Sequence, residues 1–322
     1  MLWGLGVLSF VVALVSVRLL AGRFAALALD QPNARSLHEQ PVPRTGGIAV
    51  LAGISVSFAF LPSDYWLALV LGLLVGAVSL IDDLRGMPTG VRLAAHLAAA
   101  AVLVALTLGP GNLLGIVLLA LAVAWVTNLY NFMDGSDGLA GGMALIGFGA
   151  YALAALLAGN PSLAMLCAAI SAAAAAFLTH NFPPARIFLG DVGSIPLGFF
   201  AGGLGVLGWQ EGLWPLWFPV LVFGPFVGDA TITLVRRLLR GERVWQAHRE
   251  HYYQRLVRMG FGHRGTALFE YAVMVACAAA ALFGRTQSPV IQAVAFLGAA
   301  IGLAAIALWV DLRWLRFSRE AA

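Results

Sequence analysis

The sequence predicts an all-α protein that crosses a membrane many times and forms a single domain over residues 1–322. Two observations lead to this fold class. Hydrophobic residues make up 61% of the chain and charged residues only 11%, whereas a soluble domain carries roughly 25% charged residues. The apolar residues also fall in runs of 16 to 23, which suit helices that cross the hydrocarbon core of a bilayer.

Eleven apolar runs are predicted to be membrane-spanning helices, each close to the roughly 20 residues that a crossing requires. Polar segments such as PSD (62–64), GPGN (109–112) and RTQSP (285–289) separate runs and favour turns. The first run has no basic leader and is too long for a cleaved signal peptide, so we expect it to remain as a helix. The runs cover residues 2–20, 46–62, 66–82, 91–108, 113–130, 138–157, 162–180, 193–208, 214–236, 266–284 and 289–310.

Arginine placement predicts the orientation of these helices, because basic residues accumulate on the cytoplasmic side of a membrane. Of the 19 basic residues, 18 lie in or beside the loops after runs 1, 3, 5, 7 and 9 or in the C-terminal tail, including a basic loop at about 236–265. We therefore expect an outside N-terminus, a cytoplasmic C-terminus and anionic membrane lipid at the inner face. The net charge of +4 follows from this topology and does not indicate nucleic-acid binding.

The unusual polar clusters all fall on this predicted cytoplasmic side. Five clusters from distant parts of the chain at one depth of the membrane predict one shared active site. No comparable cluster occurs in the opposite loops of the sequence. The five are HEQPVPRTGGIAV (38–50), IDDLRGMPTG (81–90), NLYNFMDGSDGLAGG (128–142), HNFPPARIFLGDVGS (180–194) and HREHYYQRLVRMGFGHR (248–264).

The third cluster repeats oxygen-bearing side chains at three-residue spacing, in Asn128, Asn131, Asp134 and Asp137. On a helix this spacing keeps them near one face, although two glycines indicate that the last turn opens into a loop. Carboxylates near a bilayer are costly and mark a functional site by default. Carboxylate and amide oxygens suit Mg²⁺, a hard cation that keeps waters and takes phosphate oxygens. The sequence has no His/Cys set with zinc spacing.

Each cluster also has a structural interpretation. Asp82 and Asp83 can cap a helix end, although two adjacent carboxylates repel each other unless a cation is near. Asp191, between two glycines before an apolar run, can be a helix N-cap, or this helix start can present backbone N–H groups to phosphate. His248 and His251 can be solvated loop residues.

The clusters together favour phosphoryl transfer. Mg²⁺ would bridge the phosphates of a nucleotide, and Arg and His of the large loop would neutralise a pyrophosphate. This reaction needs mainly positioning and charge stabilisation. A lipid phosphate is an acceptor that suits a membrane enzyme.

Taken in order, PVPRTGG, the DD pair, NLYNFMDGSDGLAGG, FLGDVGS and the HREH loop resemble the polyprenyl-phosphate N-acetylhexosamine-1-phosphate transferases, glycosyltransferase family 4. The resemblance spans about residues 30–265. It implies that a UDP-N-acetylamino sugar donates its sugar-1-phosphate to undecaprenyl phosphate and releases UMP, in the inner membrane of a bacterium. It also implies a Mg²⁺ cofactor, with Mn²⁺ as the alternative, and a homodimer.

The resemblance implies a role for each matching residue. Asp191 and Asn131 would bind the metal, and Phe188 and Asn181 would stack on and read the uracil. Asp82, with Asp83 beside it, would be a base or would position the lipid phosphate. Because a phosphate monoester has a second pKa near 6, the acceptor is largely ionised at pH 7 and needs no base. The remaining substrate contacts would be Arg44, Asp134, Asp137, His248, Arg249 and His251.

Two departures bear on the branch of the family. Leu84, Arg85 and Gly86 follow the DD pair where many members carry a third acid or a lysine. The HREH loop replaces the histidine run of the peptidoglycan phospho-MurNAc-pentapeptide transferases. These sequence motifs therefore resemble those of the branch that initiates O-antigen and other surface glycans, with UDP-GlcNAc, UDP-QuiNAc or UDP-FucNAc as donor. The alternatives are the peptidoglycan enzyme and, in another class, a lipid-glycan transporter.

Overall fold

A computed structural model describes residues 2–25, 28–30, 41–243, 246 and 248–320. Within these residues the protein is almost entirely helical, and the two short strands β1 (Leu29–Asp30) and β2 (Val42–Pro43) form one antiparallel pair. The predicted all-α membrane fold is confirmed, because nine helical segments of the described chain are long and apolar enough to cross a membrane. The helices are α1 (Leu2–Ala21), α2 (Gly46–Ser55), α3 (Trp66–Arg85), α4 (Thr89–Leu108), α5 (Leu113–Phe132), α6 (Leu139–Leu157), α7 (Pro161–Asn181), α8 (Asp191–Gln210), α9 (Trp217–Val222), α10 (Gly224–Leu239), α11 (Tyr252–Leu256), α12 (Gly262–Gly284) and α13 (Pro289–Glu320).

Two of the eleven predicted runs do not form one long helix. The run 46–62 is α2 followed by a 3₁₀ turn, Val56–Ala59, and the Ser55 hydroxyl donates to the Leu51 carbonyl at 2.7 Å, a contact that bends helices. The run 214–236 is divided between α9 and α10 at Phe223. Pro225 follows this break, and proline has no N–H to continue a helical ladder.

Polar caps set the starts of two long helices in the segments predicted as turns. The Asn112 side chain accepts from the Gly115 N–H at 2.9 Å and begins α5. The Asn160 side chain accepts from the Leu163 N–H at 2.9 Å and begins α7. Asparagine is among the preferred N-cap residues because its oxygen satisfies an N–H that the helix leaves open.

Helix α8 is the most enclosed long helix of the described chain and packs against α2, α3, α4 and α5. Its glycines allow this contact. A Cβ on Gly198 would lie 2.8 Å from the Thr127 Cα, and one on Gly208 would lie 2.0 Å from the Trp214 ring. Helices in a bilayer associate through such close backbone approach. The glycines of α8 therefore determine how tightly its neighbours converge.

The two ends of the bundle differ in chemistry. The C-terminal ends of α3, α5 and α7 and the N-terminal ends of α2, α4 and α8 meet at one end, which carries the predicted polar clusters. At the opposite end Asn160 donates to the Tyr65 hydroxyl at 2.7 Å and to Glu211 at 2.6 Å. The gathering of the clusters at one end is thus observed, and the cytoplasmic orientation of that end stays a prediction.

Gly198→Ala should destabilise the protein. The added methyl group would meet backbone atoms of α5, and overpacking of this kind costs about 1–3 kcal/mol. We expect a lower midpoint of thermal unfolding in detergent. Gly298→Ala on α13 is the matched control, because nothing lies within 4 Å of its Cβ position. Equal midpoints for the two variants would contradict the proposed packing.

Candidate active site

A cavity of about 210 Å³ opens at the polar end of the bundle. Eight of the twelve site residues predicted from the sequence line it, which brings together side chains from four of the five clusters. These eight are Arg44, Asp83, Asn131, Asp134, Asp137, Asn181, Phe188 and Asp191, and the wall also includes Asp30, Gly135, Ser136, Gly190 and His263.

Backbone pairing between the first and fourth clusters forms one wall. The Phe188 N–H donates to the Pro43 carbonyl at 2.7 Å, and the Gly46 N–H donates to the Phe188 carbonyl at 2.9 Å. Gly190 adopts φ +70°, and a Cβ there would lie 2.6 Å from the Arg44 carbonyl oxygen. This position therefore requires glycine both for its backbone angle and for the close approach.

Asp83 faces the cavity and also caps α8. Its Oδ2 accepts from the Val192 N–H at 3.4 Å. The Arg44 guanidinium donates to the Asp83 carbonyl at 2.8 Å and lies 3.6 Å from its carboxylate. The N-cap position itself belongs to Gly190, so Asp191 is the first residue of the helix and not its cap.

The amide of Asn131 is held in one orientation on the same wall. Ser194 Oγ donates to Asn131 Oδ1 at 2.7 Å and contacts the Gly190 carbonyl at 3.1 Å. The amide of Asn131 lies near the start of α8 and also hydrogen-bonds the Asp191 carboxylate. The two predicted metal ligands, Asn131 and Asp191, are therefore neighbours on the cavity wall.

The electrostatics of the cavity suit a cation. Its described wall carries five aspartates. Burial, and after it the carboxylates of Asp191 and Asp83, raises the pKa of Asp134 to about 8. In the described chain no three His, Cys, Asp or Glu side chains converge as a complete metal site. The oxygen donors of the wall are of the kind that would suit Mg²⁺, which takes water and phosphate oxygens for the rest of its shell.

A second group of contacts joins the turn after α5 to the segment after α7. Asn181 Oδ1 accepts from the Gly138 N–H at 2.9 Å, and Asn181 Nδ2 donates to the Ile187 carbonyl at 2.9 Å. Asp137 Oδ2 accepts from the Ala185 N–H at 2.9 Å. The side chains predicted to meet the nucleotide thus also hold the two cavity-lining loops together.

Comparison with known proteins agrees with this geometry. The family model for glycosyl transferase family 4 matches residues 65–208. A decaprenyl-phosphate N-acetylglucosaminephosphotransferase of Mycolicibacterium smegmatis is 30% identical over 88% of this chain and 82% of its own length. The chain belongs to glycosyl transferase family 4. This is the family of polyprenyl-phosphate N-acetylhexosamine-1-phosphate transferases, so the resemblance that the five clusters carry is confirmed.

Two further relatives of this family 4 protein cover most of its length. An undecaprenyl-phosphate alpha-N-acetylglucosaminyl 1-phosphate transferase of Salmonella typhi is 30% identical over 80% of this chain and 75% of its own. A probable undecaprenyl-phosphate N-acetylglucosaminyl 1-phosphate transferase of Bacillus subtilis is 29% identical over 83% of this chain and 81% of its own.

Asp82 of the family 4 protein is not on the described cavity wall, unlike Asp83. Asp82 Oδ1 accepts from the Met87 N–H at 2.6 Å, and Asp82 Oδ2 pairs with Arg92 Nη1 at 2.6 Å. The same Arg92 nitrogen lies 3.4 Å from Asp191 Oδ2. Asp82 therefore holds the turn between α3 and α4 and orients an arginine toward Asp191.

Arg92 is a site residue that the sequence reasoning used only for topology. The available signal was its position ten residues after Asp82, across a short turn. Its side chain is 32% exposed, so it can pair with the carboxylates and still meet an anion at the rim. His263 belongs to the fifth cluster but was not predicted as a site residue, because it has no acidic or amide neighbour in the sequence.

The HREH loop lies beside the cavity. In the described part of the chain His248, Arg249 and His251 are not on the cavity wall, so their predicted substrate contacts stay predictions. His251 is buried and begins α11, and its Nδ1 lies 3.0 Å from Asp229 Oδ1. Asp229 also accepts from the N–H groups of Tyr252 and Tyr253 at 3.0 and 3.1 Å. The buried carboxylate of Asp229 thus holds His251 in the protein interior.

His248 is not a cation in this arrangement. Its ring lies 4.8 Å from the His251 ring, measured between centroids. Burial, and after it His251 and Arg237, lowers the pKa of His248 to about 4. At pH 7 it is neutral and can reach a pyrophosphate only as a neutral hydrogen-bonding group. Glu250 of the same loop pairs with Arg237 and Arg240.

Asn128, the first polar residue of the third cluster, lies between helices and outside the described cavity wall. Its Oδ1 is 3.2 Å from His96 Nδ1, and its Nδ2 donates to the Ala124 carbonyl at 2.7 Å. This contact joins α4 to α5. The three-residue spacing of Asn128 and Asn131 therefore places both on α5, but Asn128 contributes to helix packing and not to the described cavity wall.

The Asp229–His251 contact predicts non-additive stability effects. Each single alanine variant should lower the thermal unfolding midpoint, because it leaves one buried partner of this hydrogen bond without the other. The double variant should lose less free energy of unfolding than the two single variants together, and we expect this difference, the coupling energy, to be about 1 kcal/mol. Thermal unfolding of the four proteins of the cycle in one detergent measures this. Strictly additive losses would show that the contact contributes nothing to the anchoring of α11.

Proposed function

We propose that this protein is a Mg²⁺-dependent transferase that moves the sugar-1-phosphate of a UDP-N-acetylamino sugar to undecaprenyl phosphate and releases UMP. One observation carries the proposal: side chains from all five clusters, with His263 from the fifth, meet around one oxygen-rich cavity at a single end of a membrane bundle. The names of the Salmonella typhi and Bacillus subtilis relatives, which specify undecaprenyl phosphate and N-acetylglucosamine, support it.

The donor side of the proposal rests on the cavity wall. Phe188 and Asn181 lie on one stretch of wall and would bind the uracil. Arg44, the one arginine on the described wall, would neutralise the pyrophosphate. Asp191 and Asn131 would hold Mg²⁺, and the ion would offset the charge that develops on the phosphate oxygens. Asp134 and Asp137 would meet the nucleotide or the sugar.

The acceptor side rests on Arg92. An arginine binds phosphate well because its planar fork of N–H groups matches the oxygens. Apolar side chains beside it are open to the bilayer, with Leu84, Val91 and Leu93 exposed to 62%, 49% and 50%. A prenyl chain in the membrane would thus bring its phosphate to Arg92, where Asp191 is also within reach.

The reaction then follows from charge and position. An ionised oxygen of the lipid phosphate attacks the β-phosphorus of the donor, the bond to the bridging oxygen breaks, and UMP leaves. No proton has to be removed from the acceptor at pH 7. Both oxygens of Asp82 are already engaged by Met87 and Arg92. We therefore assign Asp82 the orientation of Arg92 and not the role of a base.

The relatives favour UDP-GlcNAc as the first donor to test, and we propose a surface-glycan role. The names of all three relatives specify N-acetylglucosamine. The HREH loop, in place of a histidine run, supports the same branch. The proposed location is the inner membrane of a bacterium, and a homodimer is the proposed assembly.

Release of UMP is the decisive assay. Purified protein with undecaprenyl phosphate and Mg²⁺ should release UMP from UDP-GlcNAc. EDTA should stop the reaction, and Mg²⁺ or Mn²⁺ should restore it. UDP-QuiNAc, UDP-FucNAc and UDP-MurNAc-pentapeptide complete the donor panel. Turnover of the pentapeptide alone would favour the peptidoglycan enzyme, and inactivity with every donor would favour a transporter.

Asp82→Asn should reduce turnover by roughly 10²-fold, the cost of misplacing a reacting group by about 1 Å. The neutral amide no longer holds Arg92 by an ion pair. Since the acceptor needs no base, we expect the residual rate to follow ionisation of the lipid phosphate as pH rises. Arg23→Gln, an exposed arginine at the same end, is the control and should retain full activity. Complete loss of activity at every pH would support a base role for Asp82 instead.

A further inference from the structure

His263 reaches the cavity from a part of the chain outside the other wall segments. It is the second residue of α12 and lies on the cavity wall beside Ser136 and Asp137. Gly260 and Gly262 precede it with φ +95° and +61°, angles that favour glycine. The helical path is kinked at these glycines, and the imidazole that follows the kink lies against the turn after α5.

The contacts of His263 determine which ring nitrogen carries the proton. The Asp137 N–H donates to His263 Nδ1 at 3.2 Å, and Ser136 Oγ lies 3.0 Å from the same nitrogen. A backbone N–H can only donate, so Nδ1 holds a lone pair and the ring proton is on Nε2. The 3.5 Å separation of Nδ1 from Asp137 Oδ1 is longer than a normal hydrogen bond. The imidazole therefore acts on this turn as an acceptor.

Helix α12 holds the turn at a second point. Tyr271 Oη donates to the Gly138 carbonyl at 2.7 Å, and a Cβ on Gly142 would lie 1.9 Å from the Tyr271 ring. On the far side of the turn, Asn181 and Ala185 bind Gly138 and Asp137. The turn is thus fixed between α12 and the segment after α7, and Asp134 at its start faces the same cavity.

We infer that His263 is a positioning residue of the donor pocket, which sets the conformation of the turn 134–138 by accepting hydrogen bonds from Ser136 and Asp137. The inference rests on the proposed function, because the donor is the UDP-sugar assigned to this cavity. Loss of the acceptor would let Asp134 and Asp137 move away from the donor. The nucleotide sugar should bind more weakly, while the lipid acceptor, which Arg92 would meet, should be unaffected.

Two amide substitutions separate this role from a general structural one. The oxygen of His263→Asn can occupy the place of Nδ1 and accept from Asp137, whereas His263→Gln carries its polar group farther out, near the place of Nε2. We expect His263→Asn to keep the KM for UDP-GlcNAc within about threefold of wild type. His263→Gln and His263→Ala should raise it roughly tenfold, the effect of one lost hydrogen bond. Their KM for undecaprenyl phosphate should not change.

The control is Leu268→Ala, because Leu268 lies on α12 near His263, is 51% exposed and is not on the described cavity wall. It should leave both KM values unchanged. Equal losses for all three His263 variants, or a fall in kcat with an unchanged donor KM, would overturn the inference.

A measurement without turnover separates this inference from the proposed function. Hydrogen–deuterium exchange of peptides that cover residues 134–138 should increase in His263→Ala and His263→Gln and stay at the wild-type level in His263→Asn. If the wild type releases no UMP from any donor, the proposed function fails, and the exchange data still decide whether His263 holds the turn. Unchanged exchange in all three variants would refute the positioning role.

Discussion

The charge balance at one end of the helical bundle is the constraint on which the rest of the site depends. Asp82, Asp83 and Asp191 meet there because α3 ends where α8 begins, and carboxylates this close repel one another. Arg92 pairs with Asp82 and Asp191, and Arg44 lies beside Asp83. Even with Asp134 largely neutral at pH 7, two arginines do not balance the four other aspartates of the described cavity wall. The residual negative charge is what makes a divalent cation and its phosphates suitable occupants.

Close helix packing makes this concentration of charge possible. A Cβ on Gly47 would lie 2.3 Å from the Gly193 nitrogen, so the starts of α2 and α8 are in backbone contact. Further along α8, Gly198 meets α5 in the same way. Because small residues allow backbones to approach in a bilayer, the helix ends converge enough for Asp83 to cap α8 and for Asn131 to bond Ser194.

Local sequence was a good guide where one segment is enough to define a feature. Apolar runs fix most long helices, and turn residues such as Asn112 and Asn160 fix their starts. Clusters of carboxylates and amides predicted the cavity wall, because their cost near a bilayer is a property of the residues themselves. Arg92 and His263 were missed because the wall residues that they contact, Asp191 and Asp137, are about 100 residues or more away in sequence, and an isolated Arg or His near a helix end has many ordinary explanations.

The sequence by itself determined the membrane fold, the gathering of polar clusters at one end and, through their order, the family. Hydropathy and local motifs suffice for these features, since each depends on neighbouring residues. Only the tertiary structure decided which member of each cluster faces the cavity. Asp83 lines it while Asp82 holds Arg92, Asn131 lines it while Asn128 pairs with His96, and Asp229 keeps His251 in the fold. The reason is physical: adjacent residues on a helix point in different directions, and the partner that each one meets comes from another helix.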